Sequence, residues 1–145
     1  MTQEEKQLLL KDISARLLYG VMVHFEGWCP EKLVEVNLNE DVYNGLEGIP
    51  IPYLRPMSSM TEEEASEMFR LMFPDRNLIS VEIEKNGVRF GQTDNDGVFG
   101  HVFLFFNKIY SLEQFDWLNK KMFDYRGLIP MGIALEVPEG MYKNE

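Results

Sequence analysis

The sequence predicts an α+β domain: an antiparallel sheet of about five strands with three helices packed mainly on one face. Three observations carry this expectation. Two capping boxes, Thr61 with Glu64 and Ser111 with Gln114, mark where helices begin. Apolar residues switch between a spacing of three or four and a spacing of two along the chain. Helices and strands do not alternate as β-α-β throughout, which disfavours a doubly wound parallel sheet. With 145 residues the chain has a natural size for one domain, 1–145, and a waist is expected at 49–60.

The first element is a helix over about Gln3–Tyr19. Leu9, Leu10, Ile13 and Leu17 recur at helical spacing, and Glu4, Glu5, Lys6 and Lys11 take the wet side. Gly20 stands where a left-handed cap ends such a helix. Period two then takes over, with Val21, Val23 and Phe25 facing one way and Met22, His24 and Glu26 the other. Gly27, Trp28, Cys29 and Pro30 break this strand, and Leu33–Leu38 reads as a second one with Val34, Val36 and Leu38 inward. Asn39–Gly48 is polar and turn-rich. In Ile49–Pro56 the prolines at 50, 52 and 56 lack the donor that a sheet ladder needs. That run is expected as an extended edge or a polyproline-like connector, not as an interior strand.

Thr61 then caps a helix whose first turn, Glu62-Glu63-Glu64, complements the helix dipole. Ala65, Met68, Phe69 and Met72 form its apolar stripe, and Pro74 stops it. Ile79, Val81 and Ile83 alternate with polar residues into Asn86-Gly87, which suits a type I′ hairpin turn. A two-residue loop there sets Glu84 opposite Arg89 and Ile83 opposite Phe90. Asp94-Asn95-Asp96-Gly97 is a second turn, and His101–Phe106 a third, more buried strand. Ser111 opens a helix to about Met122, with Leu112, Phe115 and Leu118 on its buried side. In the tail Met131, Ile133, Leu135 and Val137 alternate with Gly132, Ala134 and Glu136, as in an extended segment laid on the body.

A formal net charge of -10, with basic residues scattered, argues against a phosphate-backbone binder, so no nucleic-acid partner is expected. The longest acidic run, Glu62-Glu63-Glu64, is too short for a nucleic-acid mimic and reads as a solvated surface. The apolar run Val102–Phe106 is too short to cross a bilayer, so no membrane partner is expected either. The first residues show no basic segment followed by a long apolar run, and a lone cysteine suits a reducing compartment. The expected location is the cytoplasm.

Candidate chemistry is sparse. Aligning Gly97 with the invariant glycine of a calcium loop puts Gln92 and Phe103 where the first and last ligands belong, so the acidic turn is read as a hairpin turn. Cys29 with His24 or His101 is the minimum for a thiol nucleophile and its base, yet Cys29 precedes Pro30 in a turn and reads as a rim or packed thiol. Two isolated histidines give no metal-ligand spacing, and no glycine-rich loop opens a helix, so neither a metal nor any other cofactor is expected. Asp124-Tyr125-Arg126-Gly127 is the densest mixed polar and aromatic patch. It reads either as a recognition surface, Arg126 forking to a carboxylate or phosphate beside a stacking Tyr125, or as a helix exit held by local bonds. Met57 and Met60 lie outside the helical stripe and are candidates for a partner-facing patch.

Three stretches carry a resemblance: Tyr53–Glu64; Phe115–Asn119 with Phe123–Ile129; and the ending Ala134–Tyr142. The leading helix, with Ala15-Arg16-Leu17 and Tyr19-Gly20-Val21, fits as well. Together they resemble a family of small proteins encoded in prophages and mobile elements of gut bacteria. The resemblance does not extend over Arg70–Tyr110. It implies an accessory protein of a phage or integrated element, and brings with it no activity, substrate, cofactor or functional residue.

Two functions follow as expectations. One is a non-catalytic accessory protein that binds another, unidentified protein through Tyr53, Arg55, Met57 and Met60 of the connector and Asp124, Tyr125 and Arg126 of the helix exit. The alternative is a small enzyme using a histidine and carboxylate pair, for instance His101 with Asp116.

Overall fold

The computed structural model describes residues 1–25, 27, 29–36 and 49–142. The fold is α+β, with three α-helices and two sheets of four and three strands among the described residues. The expected single sheet of about five antiparallel strands does not form. The chain divides into two compact units, Met1–Arg55 with Met122–Glu145, and Pro56–Lys121, and each builds a sheet of its own. The helices are divided likewise, one in the first unit and two in the second.

In the first unit α1 (Gln3–Arg16) starts at Thr2, whose hydroxyl accepts the Glu5 amide, and tightens into a 3-10 turn at Leu17–Tyr19. Gly20 ends it in the left-handed region at φ 75°, where a side chain would be strained. The strands are β1 (Met22–His24), β2 (Glu31–Lys32), β3 (Ile51–Leu54) and β7 (Leu135–Glu136), in the order β2-β1-β3-β7. Pairing is antiparallel except between β3 and β7, which run parallel. Leu9, Leu10 and Ile13 of α1 pack with Val21, Val23, Leu33, Leu54, Leu128 and Ile133 into one core.

Two expectations fail here. The proline-bearing stretch is an interior strand, because its ladder is shared out: Ile51 and Pro52 register with β1, and Tyr53 and Leu54 with β7. With only two residues committed to each neighbour, one missing amide is a small loss. The strand after Pro30 is Glu31–Lys32, ahead of the expected Leu33–Leu38, and residues 33–36 are not in a strand. Leu33 is buried and donates its amide to the Val21 carbonyl at 2.9 Å, while Val34 is 83% exposed. Val36 is partly buried against the core, and Leu38 and Asn39–Gly48 lie outside the described residues. In the tail Ile133 and Ala134 are both buried, and Leu135 is exposed.

The second unit holds α2 (Glu62–Met72), β4 (Asn77–Glu84), β5 (Gly87–Thr93), β6 (Phe99–Phe105) and α3 (Leu112–Lys120). Its sheet runs β4-β5-β6, antiparallel throughout. The Thr61–Glu64 capping box forms in both directions, each bond at 3.1 Å. Ala65, Met68 and Phe69 are buried, and the Phe69 ring meets Phe90 of β5 at 4.8 Å. Ser111 accepts the Gln114 amide at the start of α3. Trp117 and Leu118 are buried, whereas Leu112, expected inside, is 69% exposed.

The hairpin register differs by one residue in each strand from the expected one. Glu84 pairs Gly87, Ile83 pairs Val88 and Val81 pairs Phe90, so the loop is Lys85-Asn86. The glycine is used differently from the prediction. A Cβ on Gly87 would collide with the Leu104 carbonyl and the Phe103 ring, so this position secures close strand approach and supplies no positive φ to the turn. Moving both strands together keeps the same residues on each face, and Arg89 still reaches Glu84 diagonally at 3.0 Å. A bulge between Leu78 and Ser80 leaves Ile79 unpaired and exposed.

Candidate functional site

The predicted helix exit is a built polar cluster inside the first unit. Met122 leaves the helix direction with φ 62°, and Phe123 pairs with Arg55 as a parallel bridge: the Arg55 amide donates to the Met122 carbonyl and the Asp124 amide to the Arg55 carbonyl, each at 2.7 Å. The buried Asp124 carboxylate accepts the amides of Leu128 and Ile129 at 2.8 and 2.9 Å and so closes the turn through Gly127. Arg126 does meet a carboxylate, by a single bond, but that carboxylate is Asp12 of the same chain, 3.1 Å away. Asp12 is fully buried and also takes two bonds from the buried Arg16, at 3.0 and 3.1 Å. Arg16 passes a further bond to the Phe123 carbonyl at 2.7 Å. Each of the two guanidiniums also stands 5.0 Å from the Tyr125 ring.

Of the residues expected to bind a partner, Tyr53, Met60, Asp124 and Tyr125 are buried. Tyr53 sits in β3, where the Tyr142 hydroxyl donates to its carbonyl at 2.9 Å, and Arg55 covers the Phe123 ring at 4.2 Å. Met57 stands half-buried in a 3-10 turn, Met57–Ser59. Tyr53, Arg55, Asp124, Tyr125 and Arg126 belong to the first unit, and Met57 and Met60 to the second.

His101 and Asp116, named for the enzyme alternative, stand on β6 and α3. His101 is exposed on the sheet face opposite to the one α2 covers, edge-on to Phe99 at 5.0 Å. Asp116 is exposed on α3, which packs against α2. His24 stands edge-on to Tyr53, and Cys29 is an exposed free thiol, as a rim thiol would be. Asp94 closes its turn by accepting the amides of Asp96 and Val98, both at 2.9 Å. Among the described residues no group of three His, Cys, Asp or Glu side chains is placed to hold a metal ion. No helix among them is long and apolar enough to cross a membrane.

What the second unit does present is an aromatic face. The strand expected to be more buried, β6, is an edge strand with only Leu104 fully inside. Phe99, His101, Phe103 and Phe105 alternate onto the face opposite the one α2 covers, with Phe99 54% and Phe105 44% exposed. The sheet under them is cut away by glycine: Phe99 lies against Gly91 and Phe103 against Gly87, where a Cβ would crowd the rings. Phe103 meets Phe105 edge-on at 4.8 Å, and Arg89 and Lys108 each hold a cation 5.2 Å from a ring of this row. At the Phe105 end an open hollow of about 460 Å³ is lined by Lys85, Asn86, Phe105, Phe106 and Asn107. Val98, Ile109 and Tyr110 extend the exposed apolar surface at either end of the strand.

Sequence reasoning missed this face because both parities of Phe99–Phe105 are apolar. Alternation alone cannot say which side the helices cover. The usable signal lay in β5, where the small residues Gly87 and Gly91 share one parity and the bulky Val88 and Phe90 the other.

No protein-family model matches the chain, and no curated protein or solved structure matches it.

Proposed function

We propose that this chain is a non-catalytic accessory protein that acts by binding another protein, with the aromatic face of β6 as its contact surface. The observation that carries the reading is the row Phe99, His101, Phe103 and Phe105 standing on an open sheet face beside Arg89 and Lys108. Exposed contiguous apolar surface is uncommon on a monomer and marks interaction sites. Aromatic and arginine side chains are the groups that protein interfaces enrich. The resemblance of both ends and the centre of the chain to prophage and mobile-element proteins suggests the setting, a phage or integrated element. The aromatic face is preferred to the connector and the helix exit because Tyr53, Met60, Asp124 and Tyr125 are buried and Arg126 is bonded to Asp12.

The test is affinity capture with quantitative mass spectrometry on wild type, Phe99→Ser/Phe105→Ser and, as a control, Leu18→Ser, which alters an exposed leucine of the first unit. Protein association should survive the control and be lost in the double variant. If all three chains recover the same proteins in the same amounts, the aromatic face is not the contact surface.

A further inference from the structure

The edge of β6 has a polarity that selects among occupants. Phe106 donates its amide to the Asn86 carbonyl on the β5 side at 2.9 Å. Amides alternate along a strand, so those of Leu104, Val102 and Gly100 also point to β5 and those of Phe105, Phe103, His101 and Phe99 point to the open edge. The Phe105 amide bears this out by donating to the Tyr110 hydroxyl at 3.2 Å. Phe99, His101 and Phe103 thus offer their amides along the edge as well as rings on the face, while the Phe105 amide is held by Tyr110 until an added strand displaces it. An added strand would gain a ladder and an aromatic row together.

Charge is distributed unevenly along that edge. Asp94 and Asp96 lie in the turn entering β6, and Lys108 follows it, its ammonium over Phe105. A strand running antiparallel to β6 with the same sequence sets its acidic end beside Lys108 and its basic end beside the Asp94–Asp96 turn. With the two-fold axis at Val102, the middle of this strand, His101 of one copy faces Phe103 of the other and Phe99 faces Phe105. Every exposed ring then meets a ring across the axis.

We infer that β6 pairs antiparallel with β6 of a second copy, joining two three-stranded sheets into one. This rests on the reading that the aromatic face is a protein contact surface, and it names the partner as the chain itself.

Sedimentation equilibrium over a concentration series tests it with three chains. Wild type should sediment as a dimer. His101→Pro removes an edge amide and leaves the β5 ladder intact, since the bonds to β5 use the even-numbered residues; it should be monomeric with an unchanged far-ultraviolet circular dichroism spectrum. Phe99→Glu/Phe105→Glu changes exposed side chains only and should also be monomeric, which covers the case of His101→Pro failing to fold. A monomeric wild type overturns self-pairing, as does a dimer that survives the double substitution. Affinity capture separates the two levels. A monomeric wild type that still loses a different protein through Phe99→Ser/Phe105→Ser retains the contact surface and rejects self-pairing; loss of nothing rejects both.

Discussion

Asp12 holds two arginines on one carboxylate, Arg16 by two bonds and Arg126 by one, and it does so with no exposure to solvent. Burying these charges has a large desolvation cost, which their mutual attraction and the bond to the Phe123 carbonyl offset. Removing one partner should therefore hurt more than removing the pair. Asp12→Ala leaves Arg16 buried without a counter-ion and should cost about 3–5 kcal/mol in urea unfolding. Arg126 is less critical, because its partly exposed side chain can turn toward water. Asp12→Leu/Arg16→Met should recover much of the loss; a double variant less stable than Asp12→Ala would refute this account. A second residue-scale case is steric. Gly87→Ala drives a methyl into the Leu104 carbonyl and the Phe103 ring and should cost about 1–3 kcal/mol. Gly100→Ala meets only the flexible Gln92 amide at 3.4 Å and should stay within about 0.5 kcal/mol of wild type in the same assay.

Elements inherit their ends from such local chemistry, and ends were the readable part of this chain. The capping box at Thr61 and Glu64 forms as its spacing demands, so Thr61→Ala should destabilise the second unit by about 1 kcal/mol in thermal unfolding. Glu64→Ala should lose part of the same amount, and the two losses should not add, because each side chain supports the other's bond. Helix starts, the Gly20 stop and the Asp94 turn follow from residues within four positions of one another, and so were legible. What needed distant partners was not. Pro52 becomes tolerable inside a sheet only because β7, arriving from residues 135–136, takes the other half of the strand. Arg126 finds Asp12, and the Tyr142 hydroxyl accepts the Met22 amide at 2.8 Å while donating to Tyr53 in the neighbouring strand. No spacing rule announces such pairings. The aromatic face was hidden for a related reason: the side a strand exposes is decided by where α2 lands, not by the strand's own alternation.

At the scale of the whole molecule, the two units differ in how they are drawn from the chain. The second is one continuous segment, Pro56–Lys121, whereas the first is assembled from both ends. A unit closed by chain ends depends on each of them. Without 122–145 the first unit would lose Met122, Leu128, Ile133 and Ala134 from its core, the strand beside β3, and the Arg126 and Tyr142 bonds. None of the ladders, caps or ring contacts inside β4–β6 and α2 involves those residues. Truncation after Lys121 should therefore be selective. Hydrogen exchange read by mass spectrometry should show amides of α1 and β1 exchanging as in an unfolded chain, while those of β5 keep protection, since stability is lost unit by unit where contacts are confined within units. Two outcomes would contradict that division. Protection of α1 equal to that in the full chain would mean the core around Ile13 closes without its C-terminal members, and loss of protection in β5 would mean the second unit cannot stand on its own ladder.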